Sequence, residues 1–194
     1  FVFALMKCSY AAFGEQNKID NDSKCQYIYK PLKNNLRQFE VVQTAMNTTD
    51  INIVKLKEFM YPIIGAIYEV HRELGPGLNE YVYQEGLAMQ LEEDNIIFER
   101  EKEFTPLYHE HIMNAKYRLD VVCMDNIIIE CKAVEQLTIN HRAQLFNYMR
   151  LTKLPIGLLV NFSPKSAVIE RYIYHNTTGE ILSMDGSVLT RFVK

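Results

Sequence analysis

The sequence predicts an α/β protein with a mixed central β-sheet flanked by helices. Two helical patterns come first, within residues 59–94, and runs typical of strands follow from residue 97 onward. A third helical pattern, in residues 138–151, interrupts those runs. The resulting order of helix, helix, strand, hairpin, helix, strand and strand is typical of an α/β fold with a mixed sheet.

The first predicted helix begins near Phe59 and ends at the tripeptide Gly75-Pro76-Gly77. A second helix should follow over residues 78–94, with Glu80 in its first turn. Carboxylates are common near a helix start because they interact favourably with the helix dipole. Glu80 therefore indicates a functional site only if this end of the helix abuts the strands. The side chains of the second helix expected in the core are those of Val82, Leu87 and Leu91.

An exposed first strand is predicted over residues 97–107, where charged and apolar residues alternate. His109 and His111 follow on either side of Glu110. This spacing could suit a metal, but no third ligand of a fitting type lies nearby in the sequence. We therefore expect a surface loop here.

The next two runs, residues 117–126 and 127–133, predict a β-hairpin. Glu130 and Lys132 are two positions apart in the second run, so a strand places both side chains on one face. Two charges at the end of an isoleucine-rich run are costly to bury unless they are paired, hydrogen-bonded or bound to something. A metal ion is the simplest explanation.

The length of the hairpin loop decides whether Asp120 can join Glu130. A two-residue loop at Asp125 and Asn126 would pair Val121 with Glu130 and turn Asp120 to the other face. A loop with an odd number of residues centred on Asp125, or a β-bulge, would place Asp120 opposite Glu130. We predict the odd loop or the bulge.

The helix after the hairpin should begin at a Thr138 cap and run to about Leu151. Its residues His141, Gln144 and Tyr148 recur at positions i, i+3 and i+7, and we expect this polar stripe to line the site. Residues 156–162 are almost continuously apolar and predict a central strand. Residues 168–174 predict a more exposed strand, and residues 180–192 predict a hairpin that extends or covers an edge.

We divide the 194 residues into an N-terminal extension of unassigned role (1–58), a core domain (59–175) and a C-terminal β-hairpin (176–194). Within the extension, the sequence predicts a loop at residues 15–24, a short strand at 25–30 and a helix at 36–46. A partner protein or a second copy of the chain could bind through this extension.

Composition limits the partners and the compartment. No apolar run reaches about 18 residues, so we expect no membrane span. The four cysteines include no Cys-x-x-Cys pair, so we expect reduced thiols and a cytoplasmic protein. The net charge is −3 and no cluster of five or more Lys or Arg residues occurs, so contact with nucleic acid must come from a local patch.

The charged residues of these elements form a set with a known counterpart. Asp120, Glu130 and Lys132, with the helical Glu80 and the later Gln144, resemble the PD-(D/E)XK nuclease superfamily. This resemblance implies a restriction-endonuclease-like core, with a central mixed β-sheet flanked by helices.

Three longer segments resemble the GxxExxY family of that superfamily. They are EVHRELGPG at residues 69–77, GLNEYVY at residues 77–83 and AQLFNYM at residues 143–149. The resemblance covers residues 59–174 and leaves out the first 58. One departure is visible, because Leu119 replaces the proline that names the superfamily, a position at which many members vary.

The resemblance implies hydrolysis of phosphodiester bonds with Mg²⁺, which Mn²⁺ can replace. Asp120, Glu130 and the backbone carbonyl of Cys131 would hold the ion, in keeping with a hard cation that takes oxygen ligands. Glu80 would join through water or as a further ligand. Lys132 would orient the attacking water and offset the charge that grows on the phosphate oxygens.

Nucleic acid is the partner implied by the resemblance, with DNA favoured over RNA. Gln144, together with Tyr148 and His141, would position the nucleic-acid backbone or the water. At about 5 Å and an effective dielectric constant near 20, two facing carboxylates repel by roughly 3 kcal/mol, which a divalent cation reverses.

Two alternatives stay open. The acidic balance and the missing basic cluster would also suit a nuclease-like module that binds nucleic acid or a partner protein and cuts nothing. Glu130 and Lys132 could instead form a structural salt bridge, with Asp120 capping the turn region.

Overall fold

A computed structural model describes residues 53–192 of the protein. The loop, strand and helix predicted within residues 15–46 lie outside the described residues. The helices are α1 (Ile53–Leu74), α2 (Glu80–Glu93) and α3 (Ile139–Thr152). The strands are β1 (Phe98–Phe104), β2 (Leu107–Tyr108), β3 (His111–Ile112), β4 (Tyr117–Cys123), β5 (Ile127–Lys132), β6 (Ile156–Asn161), β7 (Val168–His175), β8 (Glu180–Ser183) and β9 (Val188–Arg191).

Seven of these strands form one mixed sheet, which confirms the predicted fold class. The strand order is β1-β4-β5-β6-β7-β8-β9. β5 and β6 run parallel, and the other neighbouring pairs are antiparallel. β6 lies in the middle and all of its residues are buried, as its apolar sequence predicts.

Helices cover both faces of the sheet. The larger apolar core contains Ile63 of α1, Leu87 of α2 and Ile129 of β5. The smaller core contains Leu145 of α3 and Ile128 of β5. The neighbours Ile128 and Ile129 thus point to opposite cores, because successive side chains of a strand alternate between faces.

The first helix begins earlier than its sequence pattern indicated. Leu56 is fully buried on the core face of α1, and the helix already includes Ile53, so the predicted start at Phe59 is wrong. Charged neighbours of Leu56 obscure the apolar face in the sequence. A domain boundary at residue 59 would divide this helix.

The connection between α1 and α2 is held by Tyr83. Its hydroxyl donates to the Gly75 carbonyl at 2.6 Å and accepts from the Leu78 N–H at 3.2 Å. Gly75 and Gly77 have φ values of +68° and +98°, a conformation that favours glycine. The Tyr83 ring is fully buried, whereas Val82, predicted for the core, is only half-buried. The turn therefore fixes where α2 begins.

Two hairpins lie at the margins of this core. β2 and β3 form a separate two-stranded hairpin whose residues are exposed, including the predicted surface residues His109, Glu110 and His111. β8 and β9 continue the main sheet beyond β7, so the prediction that the tail extends an edge is confirmed. No helix within residues 53–192 is long and apolar enough to cross a membrane.

Candidate functional site

The hairpin loop between β4 and β5 contains three residues, Met124, Asp125 and Asn126. β4 and β5 pair with Val121 opposite Ile129, a register that sets Asp120 against Glu130. The prediction of an odd loop centred on Asp125 is therefore confirmed. Met124 and Asp125 have φ values of +51° and +50°, which reverse the chain within this short loop.

Asp120 lies where the β4–β5 ladder ends. The last recorded pair is Val121 with Ile129, and beyond it Oδ2 of Asp120 accepts the N–H of Cys131 at 2.9 Å. Leu119 and Val121 pack into different cores, although a regular strand would turn both to the same face. The strand is thus irregular at Asp120, and its carboxylate satisfies a backbone N–H of β5.

Glu130 is held by one oxygen only. Glu130 is only 1% exposed, and its Oε1 accepts a hydrogen bond from Nζ of Lys132 at 2.6 Å. Its second oxygen, Oε2, is buried without a hydrogen-bond partner among the described residues. A buried carboxylate oxygen is costly to leave unpaired. Oε2 of Glu130 is therefore an acceptor that no donor among the described residues satisfies.

The start of α2 abuts this strand end. Asn79 caps the helix by accepting the Val82 N–H at 3.2 Å, which places Glu80 in the first turn. Nζ of Lys132 lies 3.8 Å from Oε1 of Glu80 and so bridges Glu80 to Glu130. This end of α2 therefore abuts the strands, which is the geometry that a site role for Glu80 requires.

Three carboxylates share one ammonium group. Burial and the Asp120 carboxylate raise the pKa of Glu130 to about 7, against the opposing effect of Lys132. Burial also raises the pKa of Asp120, despite its hydrogen bond from Cys131, and the pKa of Glu80. Burial lowers the pKa of Lys132, but the attraction of the neighbouring carboxylates is stronger, so the pKa of Lys132 is raised overall. The cluster is short of positive charge, which a divalent cation would supply.

The predicted polar stripe on α3 divides into two parts. Nε2 of Gln144 donates to the Tyr148 hydroxyl at 3.1 Å, and burial raises the pKa of Tyr148, with Glu130 and Asp120 adding to the shift. Gln144 and Tyr148 therefore lie on the side of α3 that faces the carboxylates of Asp120 and Glu130. His141 instead belongs to the helix cap, because its Nδ1 accepts the N–H of Thr138 at 3.1 Å.

Two buried polar residues next to the site were missed from the sequence. Gln84 on α2 contacts Glu80, with Nε2 at 3.5 Å from Oε1. Asn161, at the end of β6 and paired with Lys132, bonds the backbone of Val134 in both directions, at 2.7 and 3.1 Å. Two features of the sequence could have pointed to these residues. Gln84 is spaced i, i+4 from Glu80, and Asn161 is an amide at the end of an apolar strand.

The donor set fits a hard divalent cation. No three His, Cys, Asp or Glu side chains within residues 53–192 converge closely enough to hold an ion unaided. Asp120 and Glu130 supply two carboxylates, and the Cys131 carbonyl follows directly after Glu130 on β5, at the residue whose N–H is bonded to Asp120. Mg²⁺ is commonly bound through one or two carboxylates and keeps several waters. The unpaired Oε2 of Glu130 is the atom that an ion would satisfy.

Comparison with known proteins gives one positive result. The family model of the PD-(D/E)XK nuclease superfamily matches residues 57–172, which is more than half of the 194-residue chain. No curated protein and no solved structure is similar enough to count as a match. The matched segment contains the hairpin, the start of α2 and the α3 stripe described above. The chain therefore belongs to the PD-(D/E)XK nuclease superfamily.

Proposed function

We propose that this protein, as a member of the GxxExxY group of its superfamily, is a nuclease that hydrolyses phosphodiester bonds of DNA and requires Mg²⁺ or Mn²⁺. The observation that carries this proposal is the buried, unpartnered Oε2 of Glu130 beside a second carboxylate, Asp120. A purely structural salt bridge would not account for a buried carboxylate oxygen that lacks a hydrogen-bond partner among the described residues.

Asp120, Glu130 and the Cys131 carbonyl would hold the ion, with Glu80 joining through water or as a further ligand. A divalent ion of this kind polarises a phosphate and lowers the pKa of water when it is bound. The half-buried position of Glu80 and its contact with Lys132 favour an outer role for this carboxylate.

Lys132 would orient the attacking water and offset the negative charge that grows on the phosphate oxygens. Its raised pKa keeps the ammonium group charged across the physiological range. Its contacts with Glu130 and Glu80 fix the group at the end of β5. A fixed charge of this kind stabilises a transition state without reorganisation during the reaction.

Gln144 and Tyr148 would position the nucleic-acid backbone, with His141 at the margin of the same helix face. Because Nδ1 of His141 accepts the Thr138 N–H, a neutral ring carries its proton on Nε2 and can offer one donor to a substrate.

The buried free thiols of Cys123 and Cys131 would suit a reducing compartment, so we place the protein in the cytoplasm.

A cleavage assay tests this proposal. Single-stranded, double-stranded and branched DNA, and RNA, are incubated with the protein in Mg²⁺ and, separately, in EDTA. We expect cleavage of DNA that EDTA abolishes, and a loss of about 10³-fold or more in Asp120→Ala, Glu130→Ala and Lys132→Ala, because each removes a transition-state interaction. Glu135→Ala changes an exposed carboxylate soon after β5 and should cleave normally.

Unchanged cleavage in any of the three site variants, or cleavage that persists in EDTA, would contradict the proposal.

A second candidate function is a module that binds nucleic acid without cutting it. The closed pairing of Lys132 with Glu130 favours it, since these two groups already satisfy part of each other's charge. Binding of DNA with no cleavage of any substrate, equally strong in EDTA, would support that reading instead.

A further inference from the structure

Gln84 is a buried polar residue to which the proposed reaction assigns no role. It lies one helical turn after Glu80 on α2 and is 8% exposed. Its Nε2 donates to Oε1 of Glu80 at 3.5 Å, and its amide also acts on the Asp120 carboxylate, whose pKa it lowers against the larger effect of burial. One amide therefore reaches two of the three acidic residues, across the gap between α2 and β4.

The chemistry of the amide suits this place. An amide nitrogen carries two N–H donors and no charge, so it can serve two carboxylate oxygens at once. An ammonium group there would compete with a divalent ion for the same carboxylates, whereas a neutral donor leaves their negative charge available. Lys132 serves Glu130 and Glu80, and Gln84 serves Glu80 and Asp120. Glu80 thus connects the two contacts.

We infer that Gln84 is a positioning residue that holds Asp120 and Glu80 in the arrangement needed to bind one divalent ion. The inference rests on the proposed metal-dependent function. Hydrogen-bond partners of metal ligands orient those ligands, and their loss typically weakens metal binding by about 10- to 100-fold. Gln84 would act through the carboxylates and touch neither the ion nor the substrate.

The test is calorimetric titration of the full chain with Mn²⁺, using wild type, Gln84→Met and Gln84→Asn. Methionine has nearly the same length as glutamine but no donor, and asparagine keeps the amide on a shorter stem that cannot reach both carboxylates. We expect the Mn²⁺ Kd to rise about tenfold or more in Gln84→Met and by a smaller factor in Gln84→Asn. Cleavage at subsaturating Mn²⁺ should fall in parallel and should recover partly at higher Mn²⁺.

Gln90→Met is the matched control. Gln90 lies on the same helix, and among the described residues its Nε2 donates only to the exposed Asp94, at 3.2 Å. Its replacement should leave the Mn²⁺ Kd unchanged. A purely structural role for Gln84 would lower the melting temperature without moving the Kd measured on folded protein.

Three outcomes decide the inference. A Kd within about twofold of wild type in folded Gln84→Met would overturn it and leave the metal site intact. If Gln84→Met does not fold, an unchanged Kd in Gln84→Asn would overturn it in the same way. A wild-type protein that binds no Mn²⁺ would overturn the proposed function and this inference together.

Discussion

Glu130 carries its charge in an environment that disfavours it. The side chain is almost fully buried, faces Asp120 and has one oxygen without a partner among the described residues. Its pKa is raised from 4.5 to about 7 as a result. A carboxyl group whose pKa is higher in the folded than in the unfolded state destabilises the fold as the pH rises through that interval.

We therefore expect Glu130→Gln to stabilise the metal-free protein. At a pH above 7, the raised pKa corresponds to a loss of about 3 kcal/mol in the free energy of unfolding of the wild type. The effect should vanish below pH about 4.5, where the carboxyl group is protonated in both the folded and the unfolded state. Urea unfolding in EDTA, at a series of pH values from about 4 to 8, measures the difference. A variant less stable than wild type at high pH would show that Lys132 outweighs the burial cost.

The same residue shows what sequence reasoning could reach. The Glu130 and Lys132 pair could be identified because two charges at the end of an apolar strand need a partner. The effect of Gln84 on Asp120 and the contact of Asn161 with Val134 could not, since Asp120 and Val134 lie outside α2 and β6 and are distant in the sequence. The spacing of His141 predicts a place on the polar stripe of α3, but the stripe does not reveal that the ring also accepts the Thr138 N–H at the helix cap.

Among the elements, α2 matters most because its first turn carries Glu80 to the end of β5. Tyr83 fixes that turn through its two hydrogen bonds to the connection with α1. Tyr83, the second tyrosine of the GLNEYVY segment, therefore has a structural function that explains its place three residues after Glu80. The sequence located this helix correctly to within two residues at its start, but did not indicate what anchors it.

Tyr83→Phe should lower the free energy of unfolding by about 1–2 kcal/mol, because it leaves the Gly75 carbonyl and the Leu78 N–H without their partner. Cleavage should slow as well, since the position of Glu80 becomes less fixed. Denaturant unfolding and initial rates measure the two effects. Tyr81→Phe changes a tyrosine that is 57% exposed on the same helix and should alter stability little. Equal effects of the two substitutions would contradict this account of the turn.

The hairpin of β4 and β5 is the element that the sequence predicted best. A loop with an odd residue count brings Asp120 opposite Glu130, and the three-residue loop has that property. The sequence left open that the ladder would also end there, with the Asp120 side chain taking the Cys131 N–H. That contact depends on where the two strands separate, which apolar periodicity does not report.

At the scale of the whole molecule, the site is assembled at one end of the central strands by parts of both helical layers. α2 brings Glu80 and Gln84 to the strand end, and the hairpin carries Asp120, Glu130 and Lys132. The proposed substrate-positioning residues Gln144 and Tyr148 lie on α3. The order of these elements could be predicted because their patterns are long and regular. Their convergence follows from the topology, in which β5 and β6 run parallel in the middle of the sheet.

The proposed function depends above all on Asp120 and Glu130 holding one divalent ion. The most direct measurement is anomalous diffraction from crystals of the protein grown with Mn²⁺. We expect one strong anomalous peak bonded to oxygens of both Asp120 and Glu130, including Oε2, and no such peak in Glu130→Ala. An empty position between these two carboxylates at saturating Mn²⁺, with Lys132 still closing the pair, would contradict it.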